Sequence, residues 1–445
     1  HPSPTRRSSD LLDKMADVLG RAGAWCGQNK YLSAIKNAFQ NFMPLTIAGA
    51  IGVLWCNVLV NETTGLGMFF KPIMALDFLN PAFQAVNFCT ISCITVGITL
   101  GIAQEIGVWN MGAERAGYIP GLVGLAAWLS VTNTSHMVDG AKEAFTGVAG
   151  NELGATGLFT GMIIGVLSVE LFCFFEKQDA LKIKMPEQVP PGVARAFEVL
   201  VPATITLIIT ACIGSACYNL TGLYLNDVIK NGIQGPLGAV GATIPGVMII
   251  YLVIMLFWLV GIHGNNMLSA VKEALFTPLA LENVEKFNKG EKPTNIINMY
   301  ALQMWGEFGG SGVTIGLVIA IMIFGKREDN KAIATLSLVP GLFNINETVT
   351  FGIPMVLNPI LGIPFVVAPL VTIIIGYVLT VIGFCPVACL TVPWTTPPIV
   401  FGFLACGANV MGAVTQAILI VVSTVIYVPF LISYEKYQNK QAAEA

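Results

Sequence analysis

The chain has 445 residues, of which 55% are hydrophobic and only 11% charged; its net charge is −3 and its mean hydropathy +0.73. A soluble globular chain carries about 25% charged residues, so this composition excludes an ordinary soluble enzyme and points to an integral membrane protein. No basic face is available for nucleic acid. The ten cysteines form no CxxC pair and lie mostly inside apolar runs, where thiols act as small buried hydrophobes rather than as disulfide partners or metal ligands.

The opening HPSPTRRSSD is polar, and residues 1–14 read as a tag-like or disordered tail. No cleavable leader is read, so the first spanning helix is expected to target the chain. A helical span needs roughly 20 apolar residues to cross a hydrocarbon core about 30 Å thick. Uncharged runs of that kind lie at 37–61, 78–104, 116–135, 199–226 and 231–262, and a shorter one at 153–169 is extended by LFCFF after Glu170. Their length and lack of alternation predict α-helices and not a β-barrel.

Basic residues orient these spans. Arg21, Lys30 and Lys36 precede the first span, and Lys177, Lys182, Lys184 and Arg195 follow the fourth, which places both sets on the cytoplasmic side. The same rule puts ENVEKFNKGEK (282–292) and the C-terminal YEKYQNK inside, with both chain termini cytoplasmic. Glu105, Glu114 and Arg115 read as a solvated ion-pair region, with Glu170 and Glu176 near the end of the fourth span and Glu198 opening the fifth.

A conflict follows. The loops 282–292 and 325–331 (GKREDNK) both read as cytoplasmic, yet one apolar run, 312–324, separates them. A re-entrant hairpin turning at FGGSG (308–312) resolves this. Pro340, Gly341, Pro354, Pro359 and Pro364 punctuate a second expected hairpin over 340–364, with NINE at its tip. Residues 15–235 thus read as a domain of ordinary spans and 236–445 as a domain of interrupted ones, and interrupted spans mark binding sites.

Within that second domain, Glu347 is the only Asp, Glu, Lys, Arg or His between Lys331 and Glu435. Such a group costs about 2.5–3.5 kcal/mol on insertion scales and is functional by default; the competing reading is a neutralised carboxyl or a half-helix cap. Asn344 and Asn346 flank it, and a polar ligand would satisfy all three. His263 in VGIHGNNM closes the uncharged run, either as a ligand group or as an interfacial histidine. Gly264 beside it allows close approach, and Asn265 and Asn266 offer donors and acceptors together, as sugar hydroxyls require. Trp394 in VPWTTPP either stacks on a sugar ring or anchors at the interface. Glu307 beside GGSG either lines the same cavity or does not.

GIHGNN (261–266), NETVTFGIP (346–354) and MPEQVPPGVARAFEVLVP (185–202) together resemble enzyme IIC, the membrane component of the bacterial phosphotransferase system, in its lactose/cellobiose/N,N'-diacetylchitobiose family. The resemblance implies an all-α integral membrane protein of the bacterial cytoplasmic membrane. It would have about ten transmembrane helices, two re-entrant hairpins in the C-terminal half, and a homodimer formed through the N-terminal half. It also implies one disaccharide in the C-terminal half, held by His263, Asn265, Asn266, Asn346, Glu347 and Trp394. Glu347 and His263 would contact the hydroxyl to be phosphorylated.

The implied partner is a IIB protein carrying phosphocysteine, with IIA, HPr and enzyme I upstream. No cofactor or metal is expected. The chain has no P-loop and no soluble α/β domain, so it must borrow its phosphoryl group. A proton-coupled sugar transporter with Glu347 as carrier is the alternative. An intramembrane hydrolase lacks support, since neither His136 nor His263 sits in an HExxH motif.

Overall fold

The computed structural model describes residues 17–62, 66–136, 145–186, 188–353 and 355–444; the expected tail at 1–14 and Pro354 lie outside them. The protein is all-α: among the described residues the only strands are the paired two-residue segments Ser135–His136 and Phe145–Thr146.

Helix α1 (Lys30–Leu54) starts where the Asn29 side chain accepts the N–H groups of Tyr31 and Leu32, satisfying donors the first turn leaves free. It is followed by α2 (Ile94–Met111), α3 (Ile119–Val131), α4 (Ala155–Glu176) and α5 (Pro191–Thr221). Small residues let these helices approach, as is usual between membrane helices: Gly161 of α4 lies on Thr99, and Gly124 of α3 on Ala103. Their core centres on Ile98, Ile102 and Phe172.

Contacts fix which ends lie together. Lys30 bonds Asn110 and pairs with Glu170 at 2.6 Å, and Arg115 and Arg195 share Glu176 and Glu198 at 2.8–3.0 Å. This is the basic end. The expected pairing of Arg115 with Glu105 and Glu114 is replaced by that cluster, while Glu105 turns inward to accept from Asn37 and Asn41. At the opposite end Gly49 meets Ile91, and Gly154 approaches the Ser92 carbonyl.

The run 231–262 is not one helix. Its first part carries Gly232, Gly235, Gly238, Gly241, Pro236 and Pro245, a density of poor helix formers that breaks it into short pieces. A continuous helix resumes only at α6 (Ile244–Leu259). After four intervening residues α7 (Gly264–Asn288) begins, and the two pack side by side. Gly264 makes that possible, because a Cβ there would stand 2.0 Å from the Ile254 carbonyl oxygen.

This hairpin corrects the expected topology. Ile262 at its tip lies on Gly23, toward the basic end, whereas Asn288 accepts from Asn57 at the opposite end. The loop 282–292 therefore sits opposite the basic end. The segment holds three acids and three lysines, with Lys289 paired to Glu285.

Helices α8 (Met299–Gly306) and α9 (Ile315–Phe324) meet at a 59° bend over FGGSG. The long helix α14 (Val410–Glu444) shows their direction. Gln416 donates to Met304 O, Tyr427 to Gly312 O, and Glu435 accepts from the N–H groups of Lys326 and Arg327. The contacts advance steadily along α14, so 299–326 runs one way. The glycine break lies within that run and is not the tip of a hairpin, which removes the conflict that had called for one.

Where a second hairpin was expected over 340–364, α10 (Glu328–Leu342) and α11 (Glu347–Gly352) pack together, with residues 343–346 between them. Helix α12 (Gly362–Val381), a proline-rich excursion and the short α13 (Val400–Ala405) complete the half. Its core gathers Trp258, Trp305, Phe365 and Tyr427. Among the described residues five helices are long and apolar enough to cross a membrane, or seven if each of two bent pairs counts as one; α3 and α6 are shorter apolar helices.

Candidate functional site

Three interrupted segments converge on one cavity of about 530 Å³ in the C-terminal half. The α6–α7 hairpin brings His263, Asn265 and Asn266, the α10–α11 hairpin brings Asn346 and Glu347, and the proline-rich excursion brings Trp394. All six residues singled out from the sequence line this cavity, and so does Glu307. The volume lies in the range of pockets that enclose small ligands.

Each segment is pinned by backbone geometry that needs its residue types. His263 is the N-cap of α7, and its Nδ1 accepts the Asn266 N–H at 3.2 Å. An accepting Nδ1 leaves the proton on Nε2, and Nε2 faces Glu347 Oε1 across 3.8 Å. That gap is too long for a direct hydrogen bond. A hydroxyl between the two could accept from Nε2–H and donate to the carboxylate. The imidazole is also braced from behind, its ring centroid 4.4 Å from that of buried Trp258.

Asn344, at φ +63°, ties the hairpin tip to the rest. Its Oδ1 accepts from Gly309 N–H at 2.7 Å, and its Nδ2 donates to the carbonyls of Trp394 (2.5 Å) and Thr396 (3.1 Å). Buried Asn346 donates to Ser311 O at 2.7 Å, and Asn265 to Ser311 Oγ at 3.0 Å. The glycine break thus serves as the socket for both hairpins. Gly310 sits there at φ +87°, with no room for a Cβ against Asn346.

Polar groups remain open to the cavity. Asn265 Oδ1 and Gln303 Oε1 are buried and have no partner among the described residues, a cost a polar ligand would relieve. Glu347 is half-exposed, held at the start of α11. Glu307 is bonded through Oε1 to buried Lys272 and to Tyr251 Oη (2.7 Å), so its second oxygen is left for the cavity.

Sequence reading missed Gln303, Ser311, Glu273 and Gln416 as members of this cavity. Gln416 left a usable signal, being the only amide in a long apolar run. It accepts from the N–H groups of Ile399 and Gly402, closing the excursion that carries Trp394. The others depend on the break at FGGSG and on the course of α7, neither of which is visible in composition.

A model of the phosphotransferase system EIIC family matches residues 36–369. The oligo-beta-mannoside-specific EIIC component of Bacillus subtilis is 32% identical over 431 residues, covering 96% of this chain and 94% of that protein. The cellobiose-specific EIIC component of Lactococcus lactis is 30% identical, covering 96% and 98%. Among solved structures, the transporter ChbC, the IIC component from the N,N'-diacetylchitobiose-specific phosphotransferase system, superposes with a TM-score of 0.86 at 29% identity, covering 95% of this chain and 98% of that one.

Proposed function

The chain belongs to the phosphotransferase system EIIC family, and from that premise we propose that it is the permease for a disaccharide of the cellobiose, diacetylchitobiose or lactose type, which it carries inward and presents for phosphorylation by a phosphorylated IIB protein. The observation that carries this reading is the convergence of His263, Asn265, Asn266, Asn346, Glu347 and Trp394, from three separate chain segments, on one cavity.

In this reading a primary hydroxyl of the sugar occupies the gap between His263 Nε2 and Glu347 Oε1. Its oxygen attacks the phosphorus of the IIB phosphocysteine, the S–P bond breaks, and Glu347 accepts the hydroxyl proton. His263 donates through Nε2–H to the same oxygen and fixes its direction. Asn265 Oδ1 and Gln303 Oε1 accept from other hydroxyls of the sugar, and Trp394 covers a ring face.

The ends of the helices support ten crossings: α1 to α7, the broken pair α8–α9, α12 and α14, with both termini cytoplasmic. Two excursions then re-enter without crossing, 328–352 from the basic end and 385–409 from the other. The N-terminal domain, 15–235, forms the homodimer in the bacterial cytoplasmic membrane, and the C-terminal domain, 236–445, carries the sugar.

The test is uptake of labelled cellobiose, lactose and diacetylchitobiose by vesicles holding the purified protein, with and without phosphorylated IIB and with an uncoupler. Sugar phosphate that needs IIB and survives the uncoupler is the expected result. Free sugar accumulating without IIB, and lost with the uncoupler, would instead make Glu347 a proton carrier.

A further inference from the structure

Glu307 lines the same cavity as Glu347 but is held differently. Its Oε1 receives two donors, the Lys272 ammonium and Tyr251 Oη at 2.7 Å. Lys272 also lies over the Tyr251 ring, 5.5 Å from its centroid, so the three groups fix one another. Tyr251 and Lys272 are buried, and neither lines the cavity. They stand behind the carboxylate. Among the described residues no donor reaches Glu307 Oε2.

An ion pair buried for structure alone gains by closing both carboxylate oxygens, which together offer about four acceptor positions. Here both donors crowd onto one oxygen and the other is left toward the cavity. Gln303 adds a second acceptor beside it. It lies four residues before Glu307, on the same helical face, and its backbone carbonyl accepts the Glu307 N–H at 3.3 Å. Its side-chain Oε1 is buried and without a partner among the described residues. Burying such acceptors without donors is costly, and a ligand hydroxyl supplies a donor. That hydroxyl differs from the one between His263 and Glu347, because a hydroxyl has a single proton to give and that one gives it to Glu347.

We propose that Glu307 is a further sugar ligand that sets specificity: its Oε2 accepts from a second hydroxyl of the disaccharide, and Lys272 and Tyr251 are the positioning residues that hold the carboxylate in place. The inference rests on the sugar reading above and adds a requirement to it, that one hydroxyl besides the phosphorylated one be free. A carboxylate placed to accept from a hydroxyl refuses an analogue that lacks it.

The test is binding of monodeoxy analogues to the purified full-length protein, built on whichever of cellobiose, lactose and diacetylchitobiose binds most tightly. It compares wild type, Glu307→Asp and the double variant Lys272→Met/Glu307→Gln. The double variant removes both charges together, a change buried pairs often tolerate. Glu307→Asp keeps the pair and draws the cavity oxygen back, so either variant serves if the other does not fold. In wild type, loss of one hydroxyl besides the phosphorylated one should weaken binding about 10- to 100-fold, as for a hydrogen bond to a charged group. In the double variant the parent sugar should bind more weakly by a similar factor, and the penalty at that position should shrink to within about twofold while the others persist. Glu307→Asp should show the same pattern at smaller size. Deoxy penalties unchanged at every position, or wild-type affinity for the parent sugar in the double variant, would overturn the inference and leave the sugar reading standing. Failure of wild-type protein to bind any of the three disaccharides would remove both.

Discussion

The two halves of the molecule handle polar groups in opposite ways. In the N-terminal half the ion pairs among the described residues collect at one end of the helices, where Arg115 and Arg195 neutralise Glu176 and Glu198 and Lys30 neutralises Glu170. In the C-terminal half the helices are interrupted, and the interruptions carry polar side chains to one interior cavity, where Asn265 and Gln303 each keep an oxygen without a partner among the described residues. A continuous span satisfies its own backbone, whereas a broken one must be covered by protein or line a cavity. Breaks therefore concentrate function, and continuous spans concentrate structure.

Five variants sharpen that contrast, in order of expected size. Replacing both Arg115 and Arg195 by Gln leaves Glu176, now buried, without a cation. Removing the partners of a buried charge costs about 3–5 kcal/mol, so the melting temperature in detergent should fall strongly while the sugar affinity of the folded fraction is unchanged. A matching loss of affinity would break the comparison.

Glu347→Gln keeps the shape of the site and removes the proposed base. Phosphoryl transfer should drop by about 100-fold or more, with sugar Kd by calorimetry within a few-fold of wild type. An equal loss in both would make Glu347 a binding group only.

Gly310→Ala places a methyl group against Asn346 at a backbone angle favouring glycine. A cost of about 1–3 kcal/mol is expected, expressed in this half as weakened sugar binding together with a lower melting temperature. Trp394→Ala should cost about 1 kcal/mol, near fivefold in Kd, and Trp394→Phe much less, as ring stacking requires. Wild-type affinity in Trp394→Ala would leave this residue as an interfacial anchor.

The class and the membership of the cavity were legible in the sequence because both are written in residue type. Long uncharged runs mark helices in a membrane, and a lone Glu347 in the longest of them marks a site. His263 with its Gly and Asn neighbours was legible for the same reason, and the six residues chosen do line one cavity. The topology of the C-terminal half was less legible. The 231–262 run looked like one span because hydropathy ignores the glycines that break it. The loop 282–292 looked cytoplasmic because of its lysines, whereas the course of α7 from Gly23 to Asn57, a tertiary fact, sets its side. FGGSG looked like a hairpin tip because glycine signals a break without saying whether the chain then turns back. The hydrogen bonds of Asn344 and Asn346 to backbone more than 30 residues away are tertiary facts with no local trace.

The most direct measurement is a structure of the purified protein with cellobiose bound. The account places a primary hydroxyl between Glu347 and His263, within hydrogen-bond distance of both, and the rest of the sugar against Asn265, Gln303 and Trp394. Sugar bound instead at the opposite end of the molecule, in the separate cavity bordered by Asn87, Asn151 and Asn288, would contradict it.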